Sequence, residues 1–288
     1  MSIQPGKETS LKHWGKVPPA LSAPSVRDEA SIDCGWGRLL FGQTFADPER
    51  LVAALQLEGS GRRDIAFYVR EPHVLLSHAP QSLFLDPSHT FRLDLGKQLP
   101  AIEASASFKV RPAENKDEAA INTIYVTRGM VPVSRGFCGN SGTEKAVTML
   151  VACDTASRHI LGVVMGIDHT MAFNDPDRGT SLWALAVDPQ ARHPGIGKAL
   201  VLSLASHFYR RGRSYMDLSV MHDNAEAIAL YDKLGFERVP VYSVKRKNPI
   251  NETLFIGPSP DESFNIYAQI IVDEARRRGI TVETEDAA

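Results

Sequence analysis

Seven consecutive residues, Arg192-His193-Pro194-Gly195-Ile196-Gly197-Lys198, combine two cations with two glycines at a spacing that suits an anion. Gly195 and Gly197 have no Cβ to hold an oxyanion away from the backbone N–H groups. Such a run gains chemistry when it opens a helix. The first helical turn has four N–H groups without intrahelical partners and roughly half a positive elementary charge. A phosphate suits that position; the plain alternative for so short a motif is a turn with solvated basic residues. Tyr231 is a phenol that stays protonated at neutral pH, with a reference pKa of about 10, and can donate a proton, or it can simply pack on an apolar helix face between Ala227 and Leu234. His222, titrating near ~6.5 in the open chain, can accept a proton or be polar surface. Asp217 is a second candidate base, or a strand Asp facing solvent opposite Met216 and Leu218. Arg135, in a Gly-containing loop, can pair with a carboxylate or remain solvated.

These residues need elements to position them. Residues 182–187 are an unbroken apolar run of strand length, closed by Asp188-Pro189. Leu200, Val201, Leu204, Ala205 and Phe208 then recur at helical spacing, so the glycines stand where a strand turns into a helix. Residues 214–220 read as a second strand. Asp223 or Asn224 can cap the helix that follows, whose apolar face is Ala227, Ile228, Leu230, Tyr231 and Leu234, with Gly235 as its stop.

In this order the two stretches, R-x-x-G-x-G and N-x-x-A-x-x-L-Y-x-x-x-G-F, resemble the GNAT acetyltransferase superfamily over about residues 108–247. The resemblance implies an α+β fold with a central mixed, mainly antiparallel sheet flanked by helices. It implies acetyl-CoA as co-substrate and no metal. Arg192, His193, Gly195, Ile196, Gly197 and Lys198 would hold the pyrophosphate, the backbone of Leu185, Ala186 and Val187 would pair with the pantetheine amides, and Asn224 and Tyr231 would complete the cofactor side. The same resemblance puts the Tyr231 phenol beside the thioester sulfur, as catalytic acid. It puts the acceptor amine against the loop 129–143, which contains Arg135.

The rest of the chain sets outer limits. With 288 residues, 43% hydrophobic and 23% charged, it reads as a soluble globular protein of two domains or of one with a long extension. A net charge of -2 gives no footprint for nucleic acid or anionic membrane. No apolar run approaches a spanning helix and no signal core opens the chain, so the cytoplasm is the expected compartment. Cys34, Cys138 and Cys153 are odd in number and far apart, which suggests neither disulfides nor zinc. His73, His78 and His89 lack metal-ligand spacing. The basic cluster Lys245-Arg246-Lys247 reads as a solvated strand end more than as a nucleic-acid contact.

Four segments follow: a flexible arm (1–30), a small α+β block (31–100), the acetyltransferase-like domain (107–256), and a C-terminal helix with a frayed tail (257–288). Within the block, Asp47-Pro48-Glu49 opens a helix, and residues 64–69, 73–78 and 90–95 read as strands. Further on, 115–128 reads as a helix, 147–153 and 160–167 as a hairpin, 171–180 as a loop, 239–245 and 253–256 as strands, and 264–278 as an amphipathic helix. No internal repeat is evident, beyond a reading of the first block as a reduced half-domain of the same type.

A closer resemblance rests on Cys34-Gly35-Trp36-Gly37-Arg38-Leu39-Leu40-Phe41-Gly42, Arg62-Arg63-Asp64-Ile65, residues 83–90 and Ala275-Arg276-Arg277-Arg278-Gly279-Ile280. These look like the acetyltransferase half of bacterial N-acetylglutaminylglutamine synthetases. That implies acetylation of the α-amino group of glutamine or a glutaminyl dipeptide in osmoprotectant synthesis, with an ATP-grasp ligase as partner that nothing in this sequence resembles. The alternatives are acetylation of a protein N-terminus and a non-catalytic acyl-CoA-binding module.

Overall fold

The structure is a computed structural model that describes residues 25–101, 105–140 and 145–255, together with Arg277 and Gly279. The expected helix at 264–278, most of the arm and the acidic C-terminus lie outside the described residues. From the N-terminal side the elements are β1 (Ser31–Asp33), β2 (Arg38–Phe41), α1 (Pro48–Gln56), β3 (Ile65–Val69), α2 (Pro72–His78), β4 (Leu83–Leu85) and β5 (Ser88–Asp94). There follow β6 (Phe108–Pro112), α3 (Glu118–Thr127), the short α4 (Phe137–Asn140), β7 (Val147–Asp154), β8 (Ile160–Asp168) and α5 (His169–Phe173). Last come β9 (Gly179–Val187), α6 (Ile196–Arg210), β10 (Tyr215–Met221), α7 (Ala225–Lys233), β11 (Glu237–Val239) and β12 (Tyr242–Arg246). Among the described residues no helix is long and apolar enough to cross a membrane.

Local chemistry accounts for the elements and for the departures from expectation. Asp47 accepts a hydrogen bond from the N–H of Arg50 with Pro48 at the first helical position, so α1 begins where its cap residues dictate. Residues 73–78 form a helix, not the expected strand. Pro72 pre-sets the first turn, and the adjacent Val74, Leu75 and Leu76 break a two-residue alternation. Residues 253–255, the described part of the expected strand 253–256, are not a strand either. The Asn248 side chain accepts from the N–H groups of Ile250 and Asn251, Asn251 answers from the other side, and this capping box starts a 3-10 helix over Pro249–Leu254. The loop expected at 171–180 begins inside α5, which Asp168 caps through the Met171 N–H. Pro240 divides the expected strand 239–245, and its two parts join different sheets.

The seven-stranded sheet has the order β11-β5-β10-β9-β8-β7-β6 and the five-stranded sheet the order β1-β2-β3-β12-β4. In the larger sheet β9 and β10 are parallel, joined by α6, and the other pairs are antiparallel. This is the mixed, mainly antiparallel sheet expected. In the smaller sheet β2 and β3 are the parallel pair, joined by α1. The two units thus repeat one succession, β2-α1-β3-α2-β4 and β9-α6-β10-α7-β11. Each gives its next strand to the other: β5 lies between β10 and β11, and β12 lies between β3 and β4. One face of the large sheet packs on α6, where Gly166 allows close approach, since a Cβ there would come 2.6 Å from Leu204 Cδ1. The opposite face shares a core with α3 and with the small sheet, including Trp36, Phe41, Phe67, Met165 and Trp183.

Candidate active site

The site begins with an irregularity in β9. Met165 of β8 pairs with Trp183 and Val163 with Ala186, so β9 spends three steps where β8 spends two, and the extra residue is a β-bulge. Ala184 takes up the distortion with a φ of 50°, a left-handed conformation costing roughly 1–2 kcal/mol in a residue with a Cβ. Such strain tends to gather at functional sites. Up to the bulge β9 pairs with β10, Gly179–Leu182 against Tyr215–Leu218 in register. Beyond it β10 continues against β5 alone, through Ser219, Val220 and Met221. An opening therefore separates residues 183–187 from residues 219–221. It leaves the β9 backbone edge free of a neighbouring strand on that side, at Leu185, Ala186 and Val187.

The helix start faces the same region. Gly195 is the N-cap of α6 with φ 82°, no side chain caps the helix, and no acid lies in its first turn. A Cβ on Gly197 would lie 3.7 Å from Leu230 of α7 and 3.9 Å from Val187, so this turn sits between the end of β9 and α7. Ile196 is buried and anchors the turn. Arg192 is exposed without a hydrogen-bond or ion-pair partner among the described residues, and Lys198 is half-buried. His193 turns elsewhere: its Nε2 lies 3.0 Å from Asp154 Oδ2 on the β7–β8 hairpin. Asp154 is held down at about 2, first by the Ser157 backbone N–H and hydroxyl. The Arg128 guanidinium, at the end of α3, donates from Nε to the Val187 carbonyl at 2.7 Å, a contact no sequence signal announced.

On α7, Asn224 spends its side chain capping the Ala227 N–H at 3.1 Å. Tyr231 is buried beside Phe91 and Phe236, and burial pushes its phenol up to about 12. His222 is exposed just past β10, its ring centroid 6.4 Å from that of His89, and its backbone N–H donates to the Pro87 carbonyl. Arg135 is exposed beside Ser134, whose N–H donates to Gly35 of the small unit. Among the described residues no group of His, Cys, Asp and Glu is arranged to hold a metal.

Asp217 does not face solvent. It is fully buried, accepts from Arg92 Nε and Nη2 at 2.7 Å each, and accepts from the Tyr68 hydroxyl at 2.7 Å. The reason is tertiary, because the face that Asp217 shares is covered by the small sheet. A carboxylate so engaged is a structural anchor and no free base. Beside it His169 is buried, shares a hydrogen bond with Ser181 Oγ at 2.9 Å, and is pushed down to about 3 by desolvation.

Residues 134–236 match the sequence model of the Acetyltransferase (GNAT) family. Mycothiol acetyltransferase of Saccharomonospora viridis is 48% identical over 58 residues, 20% of this chain and 19% of its own. A [ribosomal protein bS18]-alanine N-acetyltransferase of Escherichia coli strain K12 is 39% identical over 61 residues, 21% of this chain and 41% of its own. The chain thus spans less than half the length of these curated relatives. A GNAT-family structure from Novosphingobium aromaticivorans superposes with a TM-score of 0.50 at 13% identity, covering 78% of this chain and 89% of that one, a likeness of fold. Residues 134–236 thus resemble in sequence an acetyltransferase domain of the GNAT family, and the chain is similar in fold to a GNAT-family structure.

Proposed function

We propose that this chain transfers an acetyl group from acetyl-CoA to a primary amine of a small acceptor, with the α-amino group of glutamine or of a glutaminyl dipeptide as the first candidate. The observation that carries the proposal is the uncapped, acid-free start of α6 beside the bulged opening of β9. The residues fit the co-substrate. Gly195, Gly197, Arg192 and Lys198 suit a pyrophosphate, and the β9 edge that has no neighbouring strand beyond Leu182 suits an extended amide chain. The equivalent helix of the small unit does not fit, because Asp47 fills its cap and Glu49 lies in its first turn.

When bound, acetyl-CoA supplies the thioester acyl group. The phenol of Tyr231, kept protonated by burial, donates toward the departing sulfur. His222 receives the proton that the amine loses at the mouth of the opening. Arg135 draws an anionic acceptor toward the cleft, and a ligase carried elsewhere is the partner this reading implies. Both curated relatives are acetyltransferases by name, one of them acting on an alanine, which supports transfer to an amine. The test is release of CoA thiol from acetyl-CoA across a panel of amino acids, dipeptides and peptides. Release with glutamine or its dipeptides supports the reading. Release with protein N-terminal peptides alone moves the acceptor class to proteins. Tight CoA binding with no release for any amine makes the chain a binding module.

A further inference from the structure

The inner face of the small sheet carries polar groups that the fold leaves unmatched. Arg63 precedes β3 on the same side as Ile65 and Phe67, and Lys245 lies opposite Ile65 on β12. Lys245 Nζ is 2.8 Å from Asp86 Oδ2, with side chains 7% and 3% exposed. Around this pair, Arg63 Nε, Asp86 Oδ1, Ser243 Oγ and Trp36 Nε1 are buried without a hydrogen-bond partner. Buried polar atoms are nearly always paired. Four on adjoining residues call for a guest with both donors and acceptors.

The charge is also uneven. Arg63 and Lys245 face Asp86, while Glu58, the other carboxylate acting on Arg63, is engaged by Arg246 at 3.8 Å; burial pulls both cations down, Arg63 below its usual range and Lys245 to about 8. A carboxylate brought by a ligand would balance them.

The group adjoins the opening. The chain passes between the sheets at Asp86-Pro87, where Pro87 accepts from the His222 N–H at the end of β10. It passes again at Pro240-Val241, where Val241 accepts from Thr90 Oγ1 at 2.8 Å. Arg63 stands over the Trp36 ring at 6.0 Å, and that ring is 6.3 Å from Trp183, the last regular residue before the bulge.

We infer that Arg63, Lys245, Asp86, Ser243 and Trp36 form the acceptor subsite, which takes an amino acid or short peptide by its free carboxylate and directs its amine toward Trp183. Arg63 and Lys245 meet the carboxylate, and Asp86 Oδ1 and Ser243 Oγ accept from an amide N–H of the acceptor. The small unit therefore supplies acceptor recognition while the large unit supplies the cofactor site. The inference rests on the acetyl-transfer reading above.

The test compares amino acids, glutamine first, with their carboxamide counterparts, in the full chain and in Arg63→Met. The wild type should favour the free acid by about 10- to 100-fold in kcat/KM, the scale of a charged hydrogen bond, and Arg63→Met should erase the preference mainly through KM. No preference in the wild type overturns the inference without any variant, and so does a preference that survives Arg63→Met. Acetyl-CoA calorimetry on the same proteins reports on the cofactor site separately. Should acetyl-CoA bind while no amine is acetylated, the transfer reading fails, and calorimetry of glutamine against glutamine amide decides the subsite. Tighter binding of the acid supports it; equal or no binding overturns it.

Discussion

Tyr231 is the proposed acid, and its surroundings govern how firmly it holds its proton. Burial against Phe91 and Phe236 raises its pKa to about 12, which secures the proton at neutral pH but makes the phenol a weaker acid. Tyr231→Phe should lower kcat by up to about 10²- to 10⁴-fold, the usual range of general acid help, with acetyl-CoA affinity nearly kept; full kcat with chemistry limiting would reduce Tyr231 to packing. His222→Gln should lower kcat/KM, and an unaltered kcat/KM would take His222 out of the proton path. Lys245 gives a pH prediction of its own, and the charged groups acting on it are Asp86 and Arg63. Its folded pKa of about 8 lies below the open-chain value, so between these two the unfolded state holds more protons and stability is gained as pH rises. Ligand binding should run the other way. An N-acetylated amino acid, the expected product, should inhibit less well above pH about 8 as Lys245 loses its charge, while the corresponding amide should not change.

Two helices in equivalent positions are opposite in character. α6 begins with a left-handed Gly195, no cap and no acid, whereas α1 begins with Asp47, Pro48 and Glu49. The first leaves its N–H groups for an anion, and the second satisfies one of them internally and adds negative charge. Gly197 tests the first without damaging the fold, because a Cβ there meets Leu230 and Val187 at ordinary contact distances of 3.7 and 3.9 Å. Gly197→Glu should abolish acetyl-CoA binding by calorimetry and leave thermal unfolding nearly unaltered. Undiminished affinity would remove the pyrophosphate from this turn.

The exchange of β5 and β12 ties the whole molecule together. β5 is flanked on both sides in the large sheet, by β10 and β11, and β12 likewise lies between β3 and β4. Asp217 of the large unit is held by Arg92 of β5 and Tyr68 of β3, so a buried ionic anchor reinforces the exchange. A fragment beginning at residue 105 would lose β5 and expose the edges of β10 and β11. It should lack a cooperative melting transition, while the full chain should unfold in a single one by circular dichroism. A folded, acetyl-CoA-binding fragment would show that the large sheet closes without the borrowed strand.

Local chemistry made much of this legible in the amino-acid sequence. The strand, glycine turn and helix around residues 182–208, the Asn224 cap and the Gly235 stop are written within a few residues of each other, and the mixed sheet came with the resemblance they carry. The small unit was harder to read. Residues 73–78 are as apolar as a strand, yet Pro72 and the lack of alternation make them helical. The bulge at Ala184 has no residue signature, since alanine does not favour its φ of 50°; the divergence of β10 from β9 is a property of strand pairing. The burial of Asp217, the partner exchange of β5 and β12 and the cluster at Arg63, Asp86 and Lys245 join residues more than a hundred positions apart. Composition and periodicity determine which faces are apolar and where helices start. Which distant charge meets which, and which strand fills which gap, is decided by the energy of packing two sheets face to face, and that exists only in the assembled structure.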